Sequence, residues 1–357
     1  MSSGIPSRYV PTEQVLIGGM GVVLVCQDTN LDRKVAIKFI QDVRDQRRLF
    51  DELTALQKIR SKHVVQIFDV FLNEADRRVG IVQEYVSGDD LQSFFADRSS
   101  LSIDEYLKVL YQISSGISDI HAQGLIHRDI KPNNMKFDQA NIIKIFDFGL
   151  ARFSGKDDST VGFVGTEGFA APELYISGFV PFTNAVDTYA FGITAWYLSG
   201  EEIPKDLLRR PPHLATIPSF SSIPLGIPDA IVKVLDRTLT EDATERPAMS
   251  EIKDILGNYL LHGKHRGLLV YESNTYTLET INQVVKLGVK NYGSIHIKYD
   301  GFNFLVDAVN GSVFVNNQLV EKGQALPKSC VITLEDNFGK RGRLFLTFDI
   351  SNPEVVL

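Results

Sequence analysis

The chain has 357 residues, enough for about two domains. Apolar residues make up 44% and charged residues 23%, with a net charge of −7; core-forming material is ample, and a nucleic-acid binder would carry a basic surplus instead. Two cysteines, Cys26 and Cys330, exclude a disulfide framework; no apolar run reaches the ~18 residues of a membrane helix, residues 1–6 lack a secretory pattern, and a cytoplasmic protein is expected.

Residues 9–40 read as strands and turns. Val22-Val23-Leu24-Val25 and Val35-Ala36-Ile37 are β-formers, separated by the polar turn Asp28-Thr29-Asn30. Leu49, Leu53 and Leu56 recur at helical spacing. Ser102-Ile103-Asp104-Glu105 spells a capping box that opens a helix with Leu110, Ile113, Ile117 and Ile120 on one stripe. Prolines crowd between Pro204 and Pro228, which predicts an irregular surface stretch between helices. Beyond about residue 261 the pattern changes. Short β-rich runs at 268–271, 295–299, 304–306, 313–315, 331–334 and 344–348, broken by Gly, Asn and Asp, predict a small all-β sandwich over 268–357, with a seam at 263–267.

The chemistry concentrates at Ile126-His127-Arg128-Asp129-Ile130-Lys131-Pro132-Asn133-Asn134. Val35-Ala36-Ile37-Lys38 precedes it, and Asp147-Phe148-Gly149 and Ala171-Pro172-Glu173 follow. In this order the four motifs form the protein-kinase signature, and over roughly residues 9–260 the chain resembles a eukaryotic-like (Hanks-type) serine/threonine protein kinase. The resemblance implies an α+β class: a bilobal protein-kinase fold over residues 9–261, with a β-rich N-lobe and a helical C-lobe, followed by the sandwich. It implies transfer of the ATP γ-phosphate to Ser/Thr hydroxyls of protein substrates, with Mg²⁺, and autophosphorylation.

Phosphoryl transfer needs cations that neutralise the triphosphate and a carboxylate that orients the attacking hydroxyl. By resemblance Asp129 is the catalytic base, Lys131 the lysine on the transferring phosphoryl group, and Asn134 and Asp147 the metal ligands. Lys38 ends an apolar strand and needs a partner. Glu52 shares the stripe of Leu49 and Leu56, where a carboxylate is costly to bury unpaired, and the family pairs these two residues.

The glycine-rich loop departs from its pattern. Gly18 and Gly21, with Gly19 between them, match the second and third glycines, but Leu16 occupies the first position. A Cβ there restricts backbone angles, while backbone N–H groups near Gly18–Gly21 still suit phosphate. Val82-Gln83-Glu84-Tyr85-Val86 matches the hinge. Glu84 and Val86 then meet adenine through their backbone, Gln83 is a polar gatekeeper, Val23 and Ala36 pack on the base, and Asp90 reaches ribose.

Arg128 before Asp129 implies an activation-loop phosphate. Ser154, Ser159, Thr160 and Thr166 are available, with Ser159 or Thr160 the expected phosphosite and Thr166 the conformational threonine near the substrate. Asp187 matches a buried helical aspartate, and Glu173 with Arg246 an architectural ion pair.

In the tail, Ser294, His296 and Asn310-Gly311 resemble a degenerate forkhead-associated domain, a phosphothreonine-reading sandwich. Ser294 and His296 are one residue too close, and Gly288-Val289 stands where Gly-Arg is expected. His296 reads as a strand residue and Lys340-Arg341-Gly342-Arg343 as a solvated basic turn. The tail is expected to dock a protein or phosphopeptide partner. Two other readings compete with catalysis: a nucleotide-binding pseudokinase scaffold, suggested by Leu16, and a phosphopeptide adaptor working through the tail. Lys38, Glu52, Asp129, Asn134 and Asp147 together oppose the scaffold, which has no chemical need for all five.

Overall fold

The computed structural model describes residues 4–18, 21–40, 54, 56–73, 78–96, 101–147, 152–153, 168–175, 183–336 and 342–351. The chain divides into two compact units, residues 1–256 and 257–356.

Unit one opens with an antiparallel five-stranded sheet. Its strands are β1 (Tyr9–Gly18), β2 (Gly21–Asp28), β3 (Arg33–Ile40), β4 (Ile67–Leu72) and β5 (Val79–Glu84), in the spatial order β1-β2-β3-β5-β4. Strand alternation sorts the side chains. Val35 and Ile37 join Tyr9, Cys26 and Val82 in one apolar cluster, which leaves Ala36 and Lys38 to the other face. Asp28 closes β2 and is fully buried, where the expectation had it only in a turn. Its carboxylate meets Arg8 at 2.7 Å and accepts from the Asn30 amide, and the Arg8 guanidinium holds it below the usual carboxylate range.

Helices follow: α1 (Leu91–Ala96), α2 (Ile103–Ala122), α3 (Ala185–Leu198), α4 (Asp229–Thr238) and α5 (Met249–Leu261). Ser102 and Glu105 exchange both bonds of the capping box, and Leu110, Ile113, Ile117 and Ile120 are fully buried, as expected. In α3 apolar residues occur on every side, so nearly the whole helix is interior. Short strands β6 (Leu125–Ile126), β7 (Met135–Phe137), β8 (Ile143–Ile145) and β9 (Arg152–Phe153) lie between α2 and α3. The proline-rich stretch is irregular, but it is not merely surface. Leu207, Phe220 and Ile223 are buried, the Phe220 ring meets Trp196, and Asp236 of α4 accepts from Ser219 Oγ and the Phe220 amide.

Unit two contains a β-sandwich. One sheet has six strands in the order β11-β10-β18-β17-β15-β16: β10 (Arg266–Tyr271), β11 (Asn274–Leu278), β15 (Ser312–Val315), β16 (Gln318–Leu319), β17 (Ser329–Glu335) and β18 (Arg343–Ser351). The other has three: β12 (Val284–Val289), β13 (Gly293–Tyr299) and β14 (Phe304–Asn310). Inward residues of both sheets, among them Leu269, Ile295, Ile297, Phe304, Ile332 and Phe348, form one core. All six expected runs are strands. Strands β11, β12 and β16 were missed because Asn274, Gly288 and the shortness of β16 hide their pattern. The seam residues are tied in: the Gly263 amide donates to the Gly301 carbonyl at 2.8 Å, and the Tyr299 hydroxyl accepts from the His265 amide at 3.1 Å. Asn316 and Asn317 both take positive φ, the two-residue turn that matches the strand twist between β15 and β16.

Candidate active site

The site is built from the β3 face opposite the apolar cluster and from the loop between β6 and β7. Register places Val23 across from Lys38, Val25 across from Ala36, and Ile81 and Gln83 of β5 across from Lys38 and Ala36. These residues therefore share one face, and the Lys38 ammonium, nine-tenths buried, reaches from it to the Asp147 carboxylate. Asp147 takes a positive φ of 72°, just after β8.

The backbone of the loop that follows β6 is held from beneath by Asp187 of α3. Its two oxygens accept from the His127 amide at 2.7 Å and the Arg128 amide at 2.8 Å, and Oδ2 also accepts from His121 Nε2 at 2.9 Å. Complete burial acts to raise the pKa of this carboxyl, but the His121 hydrogen bond and the nearby donors outweigh it, and the net shift is downward. The His127 ring bridges the Phe146 carbonyl and the Asp129 amide. Nε2 lies 3.1 Å from the Phe146 carbonyl, which can only accept, and Nδ1 faces the Asp129 amide at 3.3 Å, which can only donate, so the ring proton sits on Nε2.

On that platform Asp129 is buried at 3% exposure and gathers its neighbours. Asn134 Nδ2 donates to Asp129 Oδ2 at 2.7 Å and to its carbonyl at 2.8 Å, and Lys131 Nζ lies 2.9 Å from Oδ2. Committing Nδ2 in this way leaves Oδ1 as the Asn134 side-chain atom for a cation. The Phe146 amide bonds the Asn134 carbonyl at 3.0 Å, which ties this loop to the segment carrying Asp147. Hence Lys38, Asp129, Lys131, Asn134 and Asp147 are linked through two clusters joined by backbone.

The remaining expected residues are placed as follows. Leu16 pairs with Val23, and Gly18 with Gly21, in the ladder between β1 and β2. The Glu84 amide already donates to the Gln66 carbonyl at 2.9 Å, so a backbone contact from Glu84 to a ligand falls to its carbonyl; its carboxylate pairs with Lys144 at 3.0 Å. Val86 is buried at the strand's exit. Asp90 Oδ1 caps α1 through the Ser93 amide at 2.9 Å. Glu52, Gly19, Ser154, Ser159, Thr160 and Thr166 lie outside the described residues. Arg246 and Glu173 form a two-pronged pair at 2.7 and 2.9 Å. In the tail, Ser294 and His296 stand within β13 rather than in a loop, Ser294 between Gly288 and Asn310, and His296 between Lys286 and Ala308.

Sequence reasoning did not find His121, the His127 bridge or the Glu84–Lys144 pair. Nothing in spacing connects residues 60 or more positions apart; for His127, its place inside the catalytic motif was the one available signal.

A family model described as protein kinase domain matches residues 9–255. The chain belongs to this family. The kinase chain is 28% identical over 276 residues to a probable serine/threonine-protein kinase of Clostridium acetobutylicum, covering 72% of this chain and 41% of that protein. It is 32% identical over 292 residues to mitogen-activated protein kinase 9 of Arabidopsis thaliana, covering 70% and 57%. Against the probable serine/threonine-protein kinase pknA2 of Bifidobacterium longum it is 29% identical over 259 residues, covering 68% and 34%. The chain thus spans roughly a third to just over half the length of these relatives. Among the described residues, no helix of this kinase chain is long and apolar enough to cross a membrane.

Proposed function

We propose that this chain is an ATP- and Mg²⁺-dependent serine/threonine protein kinase that also phosphorylates its own activation loop at Ser159 or Thr160. The observation that carries the reading is the buried Asp129 carboxylate held by Asn134 and Lys131, beside Lys38 on Asp147. A substrate hydroxyl oxygen attacks the γ-phosphorus, the bond to the β,γ-bridging oxygen breaks, ADP departs, and Asp129 takes the hydroxyl proton. Lys131 offsets charge on the transferring group, and Lys38, with Glu52, positions the α- and β-phosphates. The donor set suits Mg²⁺, a hard cation that prefers oxygen: Asn134 Oδ1 and the Asp147 carboxylate would hold it, and it would neutralise phosphate charge. Gly18, Gly19 and Gly21 supply the phosphate loop, Val23 and Ala36 the base platform, Glu84 and Val86 the hinge contacts, and Asp90 the ribose contact. The sandwich docks a protein or phosphopeptide partner, and the protein works in the cytoplasm.

The test is incubation of the full chain with γ-labelled ATP and Mg²⁺ beside Asp129→Asn, with phosphosites mapped by mass spectrometry. Labelling that falls by at least about 100-fold in the variant is expected, the usual scale for removing a positioned acid–base group. Absence of labelling with nucleotide still bound favours the scaffold.

A further inference from the structure

The outward face of the six-stranded sheet in unit two carries a band of large apolar side chains left open to solvent. On β18 the core takes Leu346 and Phe348, so Arg343, Phe345, Thr347 and Asp349 project to the other face. Register extends the band sideways. Phe345 lies beside Thr333, Thr333 beside Phe314 and Phe314 beside Leu319, while Thr347 lies between Val331 and Val270. Phe345 is 61% exposed, Leu319 63% and Val331 41%. Polar groups close both ends of the band. At one end Arg343 pairs with Glu335 at 3.2 Å; at the other Asp349 accepts from the Ser329 hydroxyl at 2.6 Å. An apolar centre with a charged rim is the composition of a protein–protein interface rather than of a solvated sheet.

This face is complementary to itself. On β18 Arg343 and Asp349 are equally spaced about Leu346, and on β17 their partners Glu335 and Ser329 are equally spaced about Ile332. A two-fold axis lying across the strands at that level brings Arg343 of each copy over Asp349 of the other. It also sets each Phe345 ring over Thr347 of the second copy, in the gap between Val270 and Val331, and each Val331 over Thr333. Large side chains thus meet small ones, as interdigitating sheets require. With strands ~4.8 Å apart and ~3.4 Å per residue, the face from β11 to β15 covers about 24 Å by about 20 Å, and two copies bury on the order of 1,000 Å² between them. That is the lower end for a specific interface and suits a reversible dimer rather than an obligate one. We propose that this sheet face is a self-association surface: two copies of the chain pack their six-stranded sheets face to face, with Arg343 of each on Asp349 of the other. The face lies wholly within unit two, so its pairing does not depend on the kinase reading.

The experiment is sedimentation equilibrium of the full chain over a concentration series, for the wild type, Phe345→Asp, Arg343→Asp, Asp349→Arg and an equimolar mixture of the last two. The wild type is expected to pass from one chain to two, with a Kd between about 1 and about 100 μM. Phe345→Asp should raise that Kd at least about tenfold, the scale of a central interface residue. Each charge variant alone sets like charges over each other and weakens association. The mixture should restore it, because the two variants carry opposite charges at both contacts. All three side chains are exposed, so the fold is retained, and matched thermal melts verify it. A wild type that remains a single chain up to about 100 μM overturns the assignment, as does association that Phe345→Asp leaves unchanged. A mixture that associates no more tightly than its components overturns it too.

Discussion

His63 shows how burial turns one side chain into a pH-dependent element of stability. It is fully buried, Nδ1 donates to the Ile143 carbonyl at 3.2 Å, and Nε2 has no partner among the described residues. Desolvation, its largest cause, pulls the pKa down to about 4. The folded state therefore holds the neutral ring, while the unfolded chain protonates near its ordinary value of about 6.5. Above that pH the preference costs nothing; as the pH falls from about 6.5 to about 4 the unfolded state gains protons first, and up to roughly 3 kcal/mol of stability is lost. Urea titrations of the wild type and His63→Gln across this window measure it. The variant should lose less stability on acidification, and parallel pH profiles would refute the assignment. Neither the burial nor the orphaned nitrogen was legible in the sequence, where His63 stands between Lys62 and Val64 outside any motif.

At the level of elements, α2 carries a choice between two opposing effects. Gly116 lies inside the helix, and replacing glycine by alanine in a helix interior ordinarily gains roughly 1 kcal/mol. Here an added Cβ would meet Ile145 Cδ1 at 2.8 Å and the His63 Cβ and carbonyl at 3.0 Å, and part of that obstacle is backbone that cannot swing aside. Overpacking typically costs ~1–3 kcal/mol, so Gly116→Ala is expected to destabilise despite its better propensity. A thermal melt reads the sign, and a raised Tm would show that β8 and the His63 segment yield. The helix itself was legible, since the capping box and the four-residue stripe are local. The glycine's purpose was not, because its neighbours come from residues 63 and 145.

Across the first unit, Arg246 joins residues that are far apart in the chain. Its side chain is fully buried, holds Glu173 by two bonds, and donates to the carbonyls of Ala185, Thr240 and Glu241. Glu173→Ala removes the carboxylate paired with this side chain and leaves a buried guanidinium short of charge, a change that typically costs ~3–5 kcal/mol. Chemical denaturation should show it as a lowered midpoint, whereas a loss below about 1 kcal/mol would place the pair in the class of exposed bridges.

The amino-acid order by itself determined the family and the fold class. Lys38, Asp129, Lys131, Asn134 and Asp147 stand in short contiguous motifs, which are legible whatever surrounds them. It also determined the main strands and helices, because periodicity and caps act over only a few residues. Tertiary structure decided the rest. Lys38 meets Asp147 across 109 positions, Asp187 supports His127 and Arg128 from about 60 positions away, and Gln83 reaches the Lys38 face only through the pairing of β3 with β5. Contacts of that span arise when the chain buries one face of each element, and a single residue's slip in register would reverse which face Gln83 occupies.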